Sequence, residues 1–592
     1  MYILGIVEGH NNSAALLKDG EVIAVCFEER LSRLKNDFGY PRRAIDYCLR
    51  EAGIGPEEVD HVAMATENLP FGQVAVKREA TFSVADHIFE QEQYWKPVLI
   101  DGKKVDYLDL FHKRLRVDEL GYDLKGRKLE RASFEEFKAI RMETVKDRLK
   151  KDEAHIHFIN HHLAHSMYAV FSTPTCYDKD WLVFVADGYG EDCSSSVGVW
   201  RNNKFEFIAK SPKSGVGRLY RYGTLLLNLR PGVDEYKMMG LAPYATEYHT
   251  RPVCEALKVY LKVNGKEIDY TNPDKDLYFS MKERLKAFRF DAIAGGIQKY
   301  VEDISCQWFA NVIEETGIRN IVYSGGVAMN IKINKSIMDM PQVEDLFIGP
   351  SGGDESLSIG AAYALWYKLH PEKPITPLKH TYLGPGYSKA DAKAAIDGLL
   401  PAGGFDVIEN PSAELMAEKL SEGKVMARSR GRMEFGARSL GNRSILARAD
   451  DPMMIRKINT KVKMRDFWMP FAPMVLEESV PDYVVNPKGL HSPYMTIGFD
   501  STKKAHKDLR AALHPADDSM RPQMVRRSQN PELHEMLTAF KSKTGIGGVL
   551  NTSLNLHGDP VCCSPGDSLK TLLNSGLDGL ELDGYMVMRK TQ

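Results

Sequence analysis

YILGIVEGHNNSAALLKDGEVIAVCFEE, from Tyr2 to Glu29, sets out an apolar strand, a polar loop, a second apolar strand, a Lys-Asp-Gly turn and a third strand. WLVFVADGYGEDCSSSVGVWRNNKFEFIAKS, from Trp181 to Ser211, repeats the order: strand, acidic glycine-rich loop, strand, Arg-Asn-Asn turn, strand. Lys18-Asp19-Gly20 and Arg201-Asn202-Asn203 carry hairpin chemistry, because Asp, Asn and Gly tolerate the positive φ of a tight turn. A strand–loop–strand–turn–strand unit occurring twice, with helical stretches between, predicts a duplicated α/β core.

Outward from these two stretches, Arg42 to Ala52 and Phe134 to Glu153 read as helices. Residues from about 66 to 150 lack strand signals and carry many charges. They read as a helical insertion, either shaping a substrate mouth or subunit contact or presenting a solvated face. Ile321-Val322-Tyr323 is a buried-type strand leading into Ser324-Gly325-Gly326. PEKPITPLKHTYLGPGYS, residues 371–388, is rich in Pro and Gly and marks a domain boundary. The expected domains are 1–375 and 386–592, the second alternating helix and strand signals.

Of the 592 residues, 78 are Lys or Arg and 80 are Asp or Glu, a formal charge of −2. That balance excludes nucleic-acid binding driven by bulk charge. No apolar run reaches the ~18 residues of a membrane span. The opening MYILGIVEGHNNS has no basic region, and Glu8 interrupts its apolar run, so it reads as a strand and not a signal peptide. Eight cysteines without a CxxC pair point to a reduced, cytoplasmic protein.

Asn160-His161-His162-Leu163-Ala164-His165 places His161 and His165 one helical turn apart on one face, a geometry that lets two imidazoles share a metal. Asp187, in ADGYGED, and Asp354, in PSGGDES, sit where loop carboxylates gather at the carboxyl edge of an α/β sheet. Two His with one or two carboxylates suit iron(II) or manganese better than a closed zinc site. Gly325 and Gly326 let backbone approach an anionic ligand ahead of a helix. His10 follows Glu8 in a tight loop and is a candidate general base. Ala427 to Ser444 packs five Arg and three Gly, and Lys463-Met464-Arg465 and Asn551-Thr552-Ser553-Leu554-Asn555 follow. Cations interleaved with glycine in short loops read as a phosphate pocket, although no Walker loop is present.

Together these motifs resemble the O-carbamoyltransferase family of the nodulation-protein and cephalosporin type, which includes tobramycin carbamoyltransferase. The resemblance runs through GHNNSAALLKDG, CFEERLSRLK, NHHLAH, DGYGE, KMMGLAPYA, SGGVAMN, SGGDES, GRMEFGARSLGNRSILA, KMRDFWMPFAP, RPQ and NTSLNLHGDP. It implies a duplicated actin-like ATPase (RNase H-like) N-terminal domain, similar to the tRNA threonylcarbamoyl-transfer protein. It also implies a smaller α/β C-terminal domain like threonylcarbamoyl-adenylate synthase (YrdC-like), whose KxR and SxN signatures match Lys463-x-Arg465 and Ser553-x-Asn555.

The implied activity has two steps. Carbamoyl phosphate and ATP, with Mg2+, form carbamoyl adenylate on Arg438, Lys463, Arg465, Arg521, Ser553 and Asn555. The carbamoyl group then passes to a hydroxyl of a small-molecule natural product, with His10 taking the proton. Iron(II) or another divalent metal would lie on His161, His165 and Asp354, with Asp187 as fourth ligand or nucleotide contact. Gly325, Gly326 and Asn330 would cradle the adenylate, and Glu8, Lys35 and Glu235 would lie near the acceptor. Met469 stands where family members often carry Arg, and Glu8 where a relative has Asp. A homodimer through the insertion is compatible, and neither nucleic acid nor membrane is an expected partner. The competing readings are a tRNA threonylcarbamoyl-type transferase, a thiol carbamoyltransferase of hydrogenase maturation and a nucleotide-sensing actin-like protein. The charge balance and the GRMEFG and RPQ stretches argue against the first, the absent CxxC pairs against the second, and the arginine-rich second domain against the third.

Overall fold

The computed structural model describes residues 1–124, 133–272 and 274–590. The chain forms two compact units, Met1–Ser32 with Asn36–Leu378 and Arg33–Lys35 with Lys379–Gln592.

The first unit holds two five-stranded sheets. One contains β1 (Tyr2–Val7), β2 (Ser13–Lys18), β3 (Glu21–Phe27), β4 (His61–Ala65) and β5 (Ile156–Ile159), in the order β3-β2-β1-β4-β5. The other contains β6 (Trp181–Gly190), β7 (Cys193–Arg201), β8 (Lys204–Ser211), β11 (Asn320–Ser324) and β12 (Asp345–Phe347), in the order β8-β7-β6-β11-β12. A two-stranded ribbon, β9 (Leu261–Asn264) and β10 (Glu267–Tyr270), lies in sequence between β8 and β11 of the second sheet. Three antiparallel strands followed by two parallel ones make up each five-stranded sheet. The expected duplication is therefore present strand for strand.

Turn chemistry sets the hairpins. Asp19 and Gly20 take φ of 49° and 85°, and Asn202 and Asn203 take 53° and 59°. β1 reads as a continuous apolar run because both its faces are covered. Leu4 and Ile6 enter the core around Ile45, Val62 and Phe137. On the opposite face Gly5 receives the helix Leu357–Leu369, where a Cβ would fall 1.8 Å from the Ser358 carbonyl oxygen. The same helix crosses His161–Phe171 at Gly360, where a Cβ would lie 2.0 Å from the Ala164 oxygen. Two glycines thus bring one helix onto the central strand and against the helix that carries the paired histidines.

The helix expected over Phe134 to Glu153 ends at Leu149, because Lys150 adopts a left-handed φ of 51°. Residues 66–150 carry helices and no strand among the described residues; positions 125–132 of that expected insertion lie outside them. The solvated-face reading holds for part of the insertion, with Glu135, Glu136, Asp147 and Arg148 exposed, but not for all. Lys77, Arg78, Glu79, His87, Glu90 and Arg141 are all buried.

The second unit has an eight-stranded mixed sheet. Its strands are β13 (Phe405–Glu409), β14 (Met426–Ser429), β15 (Arg443–Ala447), β16 (Ala472–Leu476), β19 (Gln523–Val525), β20 (Gly548–Ser553), β21 (Gly579–Leu582) and β22 (Tyr585–Arg589); β17 (Val484–Val485) and β18 (Asp500–Ser501) pair separately. Two of its helices start with a serine capping box, Ser388 with Asp391 and Ser564 with Asp567. No helix among the described residues is long and apolar enough to cross a membrane.

Gly360→Ala should lower the first thermal transition, since overpacking a close contact costs about 1–3 kcal/mol. Gly398→Ala, where a Cβ meets nothing within 4 Å, should leave it unchanged or slightly raised. Differential scanning calorimetry of the two variants checks this.

Candidate functional site

Every candidate residue of the first unit outside its helical segments follows the carboxyl end of a strand, where side chains of an α/β sheet converge. Thr66 follows β4, and Asn160 and His161 follow β5. Asp187 lies in the irregular end of β6, past its last regular pair at Ala186. Gly325 and Gly326 follow β11, and Asp354 opens the turn ahead of Leu357–Leu369.

His161, His165, Asp187 and Asp354 meet with one ligand atom each, all within 4.8 Å of one another. His165 Nε2 lies 3.3 Å from Asp187 Oδ2 and 3.5 Å from Asp354 Oδ1, and His161 Nε2 lies 3.5 and 3.7 Å from the same atoms. His162, between them in sequence, turns away to Ser196 Oγ at 2.9 Å. The outer nitrogens are also engaged: His161 Nδ1 is 3.0 Å from Thr66 Oγ1, and His165 Nδ1 is 3.0 Å from Ser324 Oγ.

Burial alone would push the His165 imidazole down, but hydrogen bonds to Asp187 and Asp354 carry it up to about 9. Burial likewise opposes ionisation of Asp187, yet His161 and His165 hold its carboxyl well below the usual carboxylate range. His165 Nε2 is buried without a well-formed hydrogen bond. Two imidazoles and two carboxylates with their outer nitrogens engaged fit a divalent transition metal with open positions.

The glycine loop lies against this cluster. Gly325 has a φ of 91°, and a Cβ there would fall 2.2 Å from the Ala186 oxygen. The Gly326 amide donates to Asp187 Oδ2 at 3.3 Å. Asn330, expected to contact nucleotide, is committed elsewhere. Its Oδ1 caps the helix Ile331–Asp339 through Lys332 and Ile333, and its Nδ2 donates to Gln298. It shapes the loop without offering an unengaged amide.

His10 packs its ring 5.9 Å from Phe38, centroid to centroid, and its Nδ1 is enclosed without a partner. Glu79, which sequence reasoning missed, is a buried carboxylate whose charge is coupled to His10. Burial disfavours the Glu79 charge, but Arg221, Arg78 and then His10 hold it ionised. Glu235 joins this neighbourhood: burial pushes its carboxyl up, Arg221 opposes that, and its Oε1 accepts from the Gly232 amide at 2.6 Å. Glu8 is fully enclosed and paired with Arg141, Nε to Oε2 at 2.6 Å, which offsets the cost of burying its charge. Lys35 belongs to the second unit.

In the second unit Lys463 is 2% exposed and reaches back to the SxN turn. Its Nζ donates to Asn555 Oδ1 at 2.6 Å, to Asn555 O at 3.0 Å and to Ser553 Oγ at 3.2 Å. Burial, then Arg465 and Lys35, push it well below the ordinary lysine value. Arg465 Nη2 donates to Thr552 Oγ1 at 2.9 Å. Burial and the positive charges of Arg438 and Arg465 push Arg521 well below the ordinary arginine value. A guanidinium stays protonated regardless, so the convergence of Arg438, Arg465 and Arg521 is repulsion that a bound phosphate would relieve. Met469 is buried and adds no charge.

The model of the carbamoyltransferase N-terminus matches residues 2–363, and that of the carbamoyltransferase C-terminus matches residues 417–589. The chain belongs to the carbamoyltransferase family. It is 30% identical over 591 residues to the nodulation protein NolNO of Sinorhizobium fredii, covering 98% of this chain and 79% of that one. It is 29% identical over 601 residues to an uncharacterized protein of Methanocaldococcus jannaschii, covering 99% of each. Full-length HypF in the phosphate- and nucleotide-bound form aligns with a TM-score of 0.32 at 11% identity, covering 62% of this chain and 55% of that one, too distant to carry an argument.

Protein loaded anaerobically with iron(II) should retain about one equivalent per chain through gel filtration. His165→Ala should retain a small fraction of that by elemental analysis, because a two-carboxylate, one-imidazole remnant binds a transition metal weakly.

Proposed function

We propose that the protein is an ATP-dependent O-carbamoyltransferase that modifies a hydroxyl of a small-molecule natural product. The observation that carries this reading is Arg521, whose charged neighbours are Arg438 and Arg465. Such a group is suited to two anionic reactants. Carbamoyl phosphate takes up water and releases phosphate and carbamate. A carbamate oxygen then attacks the α-phosphorus of ATP, the bond to pyrophosphate breaks, and carbamoyl adenylate forms. Arg438, Arg465 and Arg521 offset the repulsion between the anions and the charge developing on phosphorus. Lys463 fixes Ser553 and Asn555, so that the SxN turn is preformed for the carbamoyl group.

Transfer belongs to the first unit. The acceptor oxygen attacks the carbamoyl carbon, the bond to the adenylate phosphate breaks, and AMP leaves. His10 takes the hydroxyl proton; its enclosed Nδ1 leaves Nε2 as the accepting atom. Glu79, ionised beside it, stabilises the imidazolium. Gly325 and Gly326 let backbone come close to the adenylate. A divalent cation held by His161, His165, Asp187 and Asp354, iron(II) being the one expected, would supply Lewis acidity toward the leaving phosphate.

The test is incubation with carbamoyl phosphate and Mg-ATP. Release of both pyrophosphate and phosphate is the expected result. Turnover that requires threonine and bicarbonate would favour the tRNA-type transferase, and no turnover with either would favour a sensor. His10→Asn should keep pyrophosphate release near wild type while product formation falls about 100- to 10,000-fold, the usual worth of a general base. Arg521→Met should do the reverse, abolishing pyrophosphate release while the protein still transfers from chemically supplied adenylate. Coupled pyrophosphate and mass-spectrometric product assays read both variants.

A further inference from the structure

Two non-glycine residues with left-handed backbone meet at one histidine of the metal-type cluster. Thr66 has a φ of 69° and Glu191 a φ of 59°. For a β-branched residue this conformation is an outlier, strained and maintained only where the surroundings impose it. At Thr66 the surroundings are explicit. Its amide donates to Ile159 O at 3.0 Å, and its carbonyl accepts from Arg141 Nη2 at 2.7 Å. Arg141 Nη1 donates to the next carbonyl, Glu67 O, at 2.7 Å, and its Nε pairs with Glu8 Oε2 at 2.6 Å. Arg141 and Glu8 are both 0% exposed. Across the cluster, Glu191 Oε2 accepts from the His161 amide at 2.7 Å, while its other carboxylate oxygen accepts from the amides of Glu67 and Asn68. Backbone on both sides of the His161 side chain is therefore pinned, and the Thr66 hydroxyl meets its Nδ1 at 3.0 Å.

We propose that Thr66 is a positioning residue of the metal centre. It favours the His161 tautomer that can bind a cation, Nδ1 protonated and Nε2 bare, over the one that donates Nε2–H to Asp187, and Arg141, held by Glu8, imposes the backbone conformation that aims the hydroxyl. The physical reason is the cost of an unpaired donor. His161 is 4% exposed, so without the hydroxyl its Nδ1–H would be buried and unsatisfied. The ring would then favour carrying the proton on Nε2, which removes the lone pair a cation needs. The inference rests on the metal reading of the cluster. It adds that Glu8, two residues before His10, and His161 are the two ends of one hydrogen-bonded chain through Arg141 and Thr66. One guanidinium then aligns the loop of the proposed base with the metal cluster.

The test uses the full chain, freed of metal and titrated with Co2+, whose visible absorption reports coordination. Thr66→Val keeps the shape and the strain and removes the hydroxyl; Thr66→Ser keeps the hydroxyl. Thr66→Val should bind Co2+ about 10- to 100-fold more weakly with an altered spectrum, and Thr66→Ser should match wild type in both. The thermal transition of metal-free Thr66→Val should stay at the wild-type value. Wild-type affinity and spectrum in Thr66→Val would overturn the proposal, as would a loss in Thr66→Ser equal to that in Thr66→Val. A wild-type chain that binds no Co2+ would instead overturn the metal reading, and the proposal with it. Arg141→Lys, with one head group for two carbonyls, should weaken Co2+ binding non-additively with Thr66→Val; additive losses would break the chain at Arg141. If Arg141→Lys does not fold, the Thr66 pair decides alone.

Discussion

Two carboxylates gathered within 4.8 Å of each other and of two imidazoles favour a positive charge between them, because partial burial, with the Asp187 side chain 15% and the Asp354 side chain 27% exposed, thins the water that would screen one from the other. The two carboxylates raise the His165 imidazole against its burial, and a divalent cation would meet the same demand more completely. Much of the first unit can be understood as the apparatus that brings these four groups together. The two histidines come from the half built on β1–β5. The carboxylates come from the half built on β6, β11 and β12. Neither half contains the site, and the duplicated fold is what gives each half a carboxyl edge from which to contribute.

That dependence explains where close contacts and strain are concentrated. Gly360 admits the helix after Asp354 against the helix that carries His165, and Gly325 admits the loop beside Asp187. Thr66 and Glu191 take up left-handed backbone on either side of His161. Helical segments 66–150, which add no strand, bring in Arg141, Glu79 and Arg78. These residues place charge in the interior behind His10 and behind His161. The insertion thus supplies electrostatics to a site whose direct ligands lie elsewhere in the chain.

The second unit meets a different constraint. Arg521 is left with the like-charged neighbours Arg438 and Arg465, whereas Arg428 and Arg430, in the same arginine-rich stretch as Arg438, are neutralised by Glu532 and Glu581. Five arginines between residues 427 and 444 therefore divide by tertiary partner. Arg443 is turned inward onto backbone carbonyls, including Cys563 O at 3.1 Å. Arg438 joins Arg521. Counting cations in the sequence overstates the pocket, because an arginine beside an acid carries no net attraction for phosphate.

Local chemistry made the duplicated strand pattern, both hairpin turns and the HxxxH pair legible from sequence alone. Turn φ values, strand alternation and helical spacing are properties of neighbouring residues, and they are written wherever those residues are. The same holds for Asp187 and Asp354 at strand ends, whereas the KxR and SxN signatures are read through the family resemblance. Glu8 and Asn330 show the limit: both sit in the right motifs, yet Glu8 faces inward to Arg141 and Asn330 caps a helix. Glu79 and Arg141 could not be singled out, because a charged helical residue reads as solvated unless a partner far along the chain is known to cover it, and Thr66 stands in no motif that marks it. Arg141 is 133 residues from Glu8 and 75 from the Thr66 carbonyl it holds. Only the folded chain decides which charges lose their water, and burial is what turns an ordinary side chain into one that orients a reacting group.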